Sequence, residues 1–221
     1  VRRFVVSLSV LSLSIIVLFT LAACQNDKEK ETDPVKPSSK LIWNETVKYP
    51  ENDPPFINVK REDKWQEIST IDDYPSKPNI NEAGTSMVFV SPYEFELAGD
   101  AWLYNIEKNE KKQIFTHQQA GEQKSVKSVL WFNNELVLIL TGNTYGTVPS
   151  SRTLYLLNVN NDKIEKIVQL ESNQNMREIE VKNEDSLTFT VDTYDDEMLN
   201  FTSAKETVKI DAFLKAVKGG E

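Results

Sequence analysis

Apolar and polar residues alternate in short bursts along the chain, and the bursts recur. The stretch LYNIEKNEKKQI at 103–114 sets two apolar-bearing segments around a polar turn. LLNVNNDKIEKI at 156–167 repeats it at an offset of 53 residues, matching Leu103 to Leu156, Asn105 to Asn158, Ile106 to Val159 and Ile114 to Ile167. The same figure occurs upstream, where 56–59 leads through Lys60-Arg61-Glu62-Asp63 into 64–68. It occurs again downstream, where 198–201 leads through Thr202-Ser203-Ala204-Lys205 into 206–210. Four hairpins are therefore expected, each with an asparagine (Asn58, Asn105, Asn158, Asn200) before the last apolar residue of its first strand. Enrichment in β-branched and aromatic residues, with turn formers at short spacing, makes these antiparallel strands.

A strand pair precedes three of the hairpins. The pairs are 79–80 with 86–90 around Glu82-Ala83-Gly84, 129–131 with 136–140 around Asn133-Asn134, and the span 179–191 turning at Asn183-Glu184-Asp185. The unbroken apolar run Leu136-Val137-Leu138-Ile139-Leu140 predicts a strand buried on both faces. Ahead of the first hairpin, 41–48 supplies one inner strand with no innermost strand before it. At the other end 210–216 predicts a short helix stopped by Gly219.

Repeats of 42–53 residues carrying four strands each have the period of propeller blades, in which a sheet buries its faces only against its neighbours. The units resemble those of TolB-like and WD40-like propellers, without the Gly-His and Trp-Asp signatures of the latter. The expected fold is all-β, a propeller-like array of about four antiparallel sheets with a short C-terminal helix. A twisted β-sandwich of the same strands is the alternative.

The first forty residues belong to a different regime. Arg2 and Arg3 precede an apolar run over 4–20 that ends in Leu21-Ala22-Ala23-Cys24, the pattern of a secretory leader closed by a lipobox. Such a run is long enough to span a membrane as a helix. Small residues ahead of the chain's only cysteine, and the lack of a basic stop-transfer flank, favour cleavage after Ala23 instead. The segment resembles the leaders of bacterial lipoproteins. That resemblance implies a diacylglycerol on the Cys24 thiol, acyl chains such as palmitate, and anchorage to the extracytoplasmic face of the cell membrane, where two acyl chains hold stably and one is marginal. Three segments result: a signal helix and leader at 1–23, the lipidated Cys24 with a disordered tether at 24–40, and one all-β domain at 41–221. The tether sequence QNDKEKETDPVKPSSK has a single valine as its hydrophobic residue and cannot bury enough to order itself. Its sixteen residues have an end-to-end distance of about 20–24 Å, which keeps the domain near the membrane.

Composition narrows the chemistry. With Cys24 used as anchor, no thiol remains for disulfides or metal thiolates. Loss of the leader takes the formal charge from −9 to −11, which disfavours nucleic acid and anionic lipid surfaces as partners. Only seven glycines occur, without a phosphate-cradling loop or a dinucleotide fingerprint. His117, the single histidine, lies in the polar stretch 116–124, and no Gly-x-Ser-x-Gly meets it, so a surface loop histidine is expected.

In a propeller the connectors between second and third strands share one face. Here those connectors carry Tyr49, Tyr93 with Phe95, Tyr145, and Tyr194, so these five aromatics form the candidate binding rim. Tyrosine joins apolar area to a hydroxyl at low entropy cost, which suits recognition of a peptide, a sugar or a partner protein. The bland reading is that the aromatics plug the ends of the blades while acids solvate the loops. Asp192, Asp195, Asp196 and Glu197 make the densest acidic cluster and are weak calcium candidates. They lack the glycine of a calcium-hand loop, so no metal or cofactor is expected.

The step Tyr145-Gly146-Thr147-Val148, running into an apolar strand closed by Asn158-Val159, resembles a family of Gram-positive, Bacillus-like lipoproteins defined by a domain of unknown function, DUF4652, over about residues 75–200. The resemblance implies no activity. The expected function is a membrane-tethered, non-enzymatic binding or accessory module for a protein, peptide or cell-wall component. The rival is an exported hydrolase of wall glycan acting through two rim carboxylates, with Glu96 and Asp195 as first candidates.

Overall fold

The computed structural model describes residues 41–44, 46–50 and 55–218. The expected signal helix, the cleavage at Ala23, the lipidated Cys24 and the tether lie outside the described residues. Four antiparallel sheets follow one another along the chain, each a meander with its strands in sequence order. The first holds β1 (Leu41–Asn44), β2 (Val47–Lys48), β3 (Ile57–Arg61) and β4 (Lys64–Ser69). The second holds β5 (Asn79–Ile80), β6 (Ser86–Ser91), β7 (Asp100–Asn105) and β8 (Glu110–Phe115). The third holds β9 (Lys124–Trp131), β10 (Leu136–Asn143), β11 (Thr153–Asn158) and β12 (Ile164–Gln169). The fourth has three strands, β13 (Gln174–Asn183), β14 (Ser186–Tyr194) and β15 (Phe201–Lys209). A 3₁₀ turn (Ile71–Asp73) and the short helix α1 (His117–Ala120) join successive sheets, and helix α2 (Asp211–Lys218) ends the described chain.

The two-residue period of a strand decides how these sheets stack. On β6, Met87 and Phe89 face the first sheet and pack with Val47, Ile57 and Val59. The intervening Val88 and Val90 face the third sheet and pack with Val126, Val129, Val137 and Ile139. On β10 the same alternation sends Val137 and Ile139 to the second sheet. It sends Leu136, Leu138 and Leu140 to Met176, Leu187 and Phe189 of the fourth. The expectation for 136–140 holds, since every residue of that run is buried. Trp131 of β9 donates its main-chain N–H and its indole Nε1 to Asn79 of β5, at 2.8 and 3.0 Å, and so ties two inner strands together. Serial packing of this kind is propeller-like and excludes the two-layer sandwich, where only one interface would exist.

The far face of the fourth sheet is polar. Thr190 donates to Glu178 at 2.8 Å and Lys205 lies 3.3 Å from Glu180. No apolar cluster among the described residues joins this sheet to the first, and a polar outer face is how a stacked array caps its end.

The repeated hairpin is real at the level of atoms. Asn105 and Asn158 turn their side-chain oxygens onto the main-chain N–H of Lys108 and Asn160, at 2.8 and 2.9 Å. Asn109 and Asp162, again 53 residues apart, both take the left-handed conformation that closes the turn (φ 59° and 58°). Asn58 has no such turn to cap, because Glu62 and Asp63 make a tight two-residue reversal (φ 46° and 63°) and Asn58 sits inside the ladder opposite Glu67.

Three expectations need correction. The fourth hairpin does not exist: 201–209 is one straight strand, paired with all of β14 from Ser186↔Lys209 to Tyr194↔Phe201. Thr202-Ser203-Ala204-Lys205 holds no residue suited to a left-handed turn, whereas Asp195 organises the reversal upstream, accepting from Leu199 N–H at 3.0 Å and Asn200 Nδ2 at 2.8 Å. The segment 41–48 is not one inner strand but two, folded back with Leu41 opposite Lys48 and Asn44 opposite Val47. The polar stretch after β8 contains a turn of helix, because Thr116 and Gln119 form a reciprocal capping box. The short C-terminal helix is present, over Asp211–Lys218, and its expected stop at Gly219 lies outside the described residues. It buries Val217, whose carbonyl accepts from Asn158 Nδ2 and Asn161 Nδ2, so the third sheet's hairpin caps the helix end.

Candidate functional site

Connectors from second to third strand and connectors entering the next sheet meet at one edge of the array, held by main-chain hydrogen bonds. Tyr93 N–H donates to Tyr74 O, Val126 N–H to Gly99 O, Thr144 N–H to Gln123 O, Met176 N–H to Ser151 O and Tyr194 N–H to Asn173 O, at 2.6–2.9 Å. Between the second, third and fourth sheets this edge opens into a cleft of about 700 Å³. Its walls are the loop 92–97, the long loop 143–151 and the inner strands β9 (125–128) and β13 (176–179).

Tyr93, Phe95 and Tyr145 line the cleft and each leaves more than half of its surface exposed. The other two rim candidates are elsewhere. Tyr49 is half-buried against the first and second sheets and donates to Pro75 O at 3.1 Å. Tyr194 packs against Phe201 in a tilted pair with centroids 5.3 Å apart and is not among the residues lining the cleft.

Gly99 holds the aromatic loop in place. A Cβ there would lie 2.5 Å from Pro92 O and 2.7 Å from Val90 Cγ1. Its N–H donates to Ser125 Oγ at 2.9 Å, which fastens the loop to β9. Gly99→Ala is expected to destabilise the domain by about 1–3 kcal/mol through overpacking. It should also shift Tyr93 and Phe95, read as a lower melting temperature with altered quenching of tyrosine fluorescence.

Both inner strands bulge where they border the cleft. On β9, Ser128 pairs with Leu140 and Val126 with Thr141, leaving Lys127 as the extra residue. On β13, Arg177 pairs with Thr190 and Glu180 with Thr188, again with one residue extra, and Glu178 is left-handed (φ 54°). A bulge re-aims side chains. Strict alternation from Val129 would turn Lys127 into the core beside the second sheet, and the extra residue lets Val126 take that place while Lys127 joins the cleft lining. The half-buried Lys127 makes no ion pair or side-chain hydrogen bond among the described residues, and burial lowers its pKa from the ordinary lysine value. Next to it, Lys124 Nζ and Arg152 Nη2 both donate to Asn143 Oδ1, at 2.6 and 3.1 Å. Burial, and then the charge of Arg152, lower the Lys124 pKa.

On β13 the cation that lines the cleft is fully paired. Arg177 donates through Nε and Nη2 to the buried Asp192, at 2.8 and 3.2 Å, and also pairs with Glu178. The Arg177 hydrogen bond is the largest of the effects that hold the Asp192 carboxyl below its ordinary range, and Ser203 Oγ donates to it at 2.6 Å. The weak calcium candidates are thus dispersed: Asp192 is engaged by Arg177, Asp195 by its own turn, and Asp196 and Glu197 are exposed. Among the described residues no group of three or more His, Cys, Asp or Glu is placed to hold a metal. Glu96 lines the cleft and Asp195 does not, so the two carboxylates named for glycan hydrolysis do not share it. His117 begins α1, and Asp100 Oδ1 lies 2.7 Å from both its main-chain N and its ring Nδ1.

Sequence reasoning missed Lys127 and the Arg177–Asp192 pair. A lysine inside the apolar strand 125–131 was the available signal for the first. The second had none, since its partners meet only through the register of β13 on β14.

The family model for a domain of unknown function, DUF4652, matches residues 94–212. No curated protein matches the chain in sequence. Among solved structures, a protein assigned as a conserved lipoprotein from Clostridium novyi NT is similar with a TM-score of 0.54 and 16% identity, over 61% of this chain and 86% of that one. The tricorn protease is similar at 0.49 and 12%, over 74% of this chain and 16% of its own. The β-propeller domain of the Trilobed protease from Pyrococcus furiosus is similar at 0.46 and 12%, over 73% and 48%. The chain spans less than half of the last two. Among the described residues no helix is long and apolar enough to cross a membrane.

Proposed function

Because the chain belongs to the DUF4652 family, whose domain is of unknown function, we propose its role from the cleft itself: a non-enzymatic binding module that holds a peptide, protein or wall component. The observation that carries this reading is the convergence of three half-exposed aromatics, from two loops, on one cleft of about 700 Å³. A concave cleft of that size with an aromatic lip over polar and charged groups is a form that ligand sites take. Anchorage through Cys24 on the extracytoplasmic face belongs to the same proposal, supported by the lipobox sequence. Cys24→Ala should move the chain from the membrane fraction to the soluble fraction; continued membrane retention would remove the anchor.

The test of the binding role is retention on purified cell-wall and envelope material. Tyr93→Ala with Tyr145→Ala should weaken retention by about thirtyfold, the effect of losing one interface hot spot. Exposed substitutions of this kind move stability by only about 0.5 kcal/mol each. A large fall in melting temperature would make the aromatics structural plugs, and sugars released from the wall would make the protein a hydrolase.

A further inference from the structure

We propose that the cleft receives the C-terminal carboxylate of a short peptide, with Lys127 as the cation that binds it. The proposal rests on the reading of the cleft as a binding site and adds the chemistry of its ligand.

Five ionisable residues line the cleft besides its tyrosines: Glu94, Glu96, Lys127, Arg177 and Glu178. Arg177 pairs with both Glu178 and Asp192, so its charge is already met by two carboxylates and is not open to a further anion. Glu94 and Glu96 are exposed on the loop that carries the aromatics. Lys127, on the inner strand and half-buried, is the lining cation that forms no ion pair among the described residues. An ammonium withdrawn from water without a partner is unfavourable to folding, yet the β9 bulge delivers it to the cleft. The cost is recovered when an anion arrives.

A second observation points the same way. Thr144 is 5% exposed and lines the cleft, and its buried Oγ1 has no hydrogen-bond partner among the described residues. An ammonium and an unpaired hydroxyl in one cleft are both donors of the kind a carboxylate accepts from. The acids on the outer loop select among anions. Glu94 and Glu96 repel a polyanion such as an acidic glycan, while a peptide carries one terminal carboxylate and uncharged amides. Its body suits the lip formed by Tyr93, Phe95 and Tyr145.

The full chain, held in detergent micelles, would be titrated against a dye-labelled tetrapeptide pool randomised at every position, prepared once as the C-terminal acid and once as the amide. The acid should bind about tenfold to a hundredfold more tightly, the worth of a hydrogen bond to a charged group. Lys127→Gln should bring the two forms level and Lys127→Arg should restore the preference. Equal binding of acid and amide by the unmodified chain overturns the carboxylate assignment and leaves the cleft as a binding site. Failure to bind either form overturns both. Stronger binding of an oligouronate than of the peptide acid, lost in Lys127→Gln, overturns the peptide in favour of a glycan. Should Lys127→Gln not fold, the acid-to-amide ratio of the unmodified chain and of Lys127→Arg still decides.

Discussion

Truncation of Leu138 to alanine is expected to lower the stability of the domain by about 2–5 kcal/mol, the range for a buried leucine whose cavity collapses only in part. Leu138 is completely buried near the middle of β10, between β9 and β11, and shares its cluster with Leu154, Leu156, Met176, Leu187 and Phe189. The cavity would open in the interface between the third and fourth sheets, where each sheet depends on the other for one of its faces. At about 2–4 °C per kcal/mol for a domain of this size, the melting temperature should fall by roughly 5–20 °C. Leu199→Ala, at a position that is 75% exposed, should leave it almost unmoved. Thermal unfolding of the two variants side by side measures this. A loss below about 1 kcal/mol for Leu138→Ala would mean that these two sheets do not share a core.

The fold was legible because its strongest determinant is local. The run 136–140 can be apolar throughout only if both faces are covered, and the 53-residue offset between the hairpins at 103–114 and 156–167 survives as matching capping asparagines and matching left-handed residues at Asn109 and Asp162. Where the apolar pattern misled, turn chemistry decided the local structure. Asn200 precedes a phenylalanine just as Asn105 precedes an isoleucine, but its side chain belongs to the Asp195 turn behind it and not to a turn ahead. The site was less legible. Which loops lie at the same edge follows from topology, so Tyr93, Phe95 and Tyr145 could be grouped from sequence. Which inner strand bulges follows from packing between sheets, and the bulges are what bring Lys127 and Glu178 to the cleft.

Lys127 carries a thermodynamic signature that complements its binding test. Its folded-state pKa is depressed, so between that value and the ordinary lysine value of 10.5 the unfolded chain holds more protons than the folded one. Stability therefore rises with pH across that window. Below the folded-state value the cost of the half-buried charge is fully present, and Lys127→Gln should remove it.

Asp192 presents the opposite case and the second large effect. Its carboxylate is 3% exposed and accepts from Arg177 Nε and Nη2 and from Ser203 Oγ. Asp192→Ala takes the acceptor from Arg177 Nε and from Ser203 Oγ, and leaves Arg177 with Glu178. Removing one partner of a buried pair costs about 3–5 kcal/mol, and here the lower end applies because the Arg177 side chain is 40% exposed and can turn to water. The pH dependence separates this pair from a packing defect. With its folded-state pKa depressed, chiefly by the Arg177 hydrogen bond, Asp192 contributes stability that is complete above the ordinary carboxylate range and is lost as pH falls through the folded value. Urea unfolding should therefore show the gap between the unmodified chain and Asp192→Ala at full size near neutral pH and narrowing as pH falls below the ordinary carboxylate value of 3.8. Asp192→Asn, which keeps the shape and one acceptor oxygen, should lie between them at neutral pH. A gap that stays constant across that range would assign the loss to packing, and the Arg177–Asp192 pair would then not be what holds the inner strand of the fourth sheet beside the cleft.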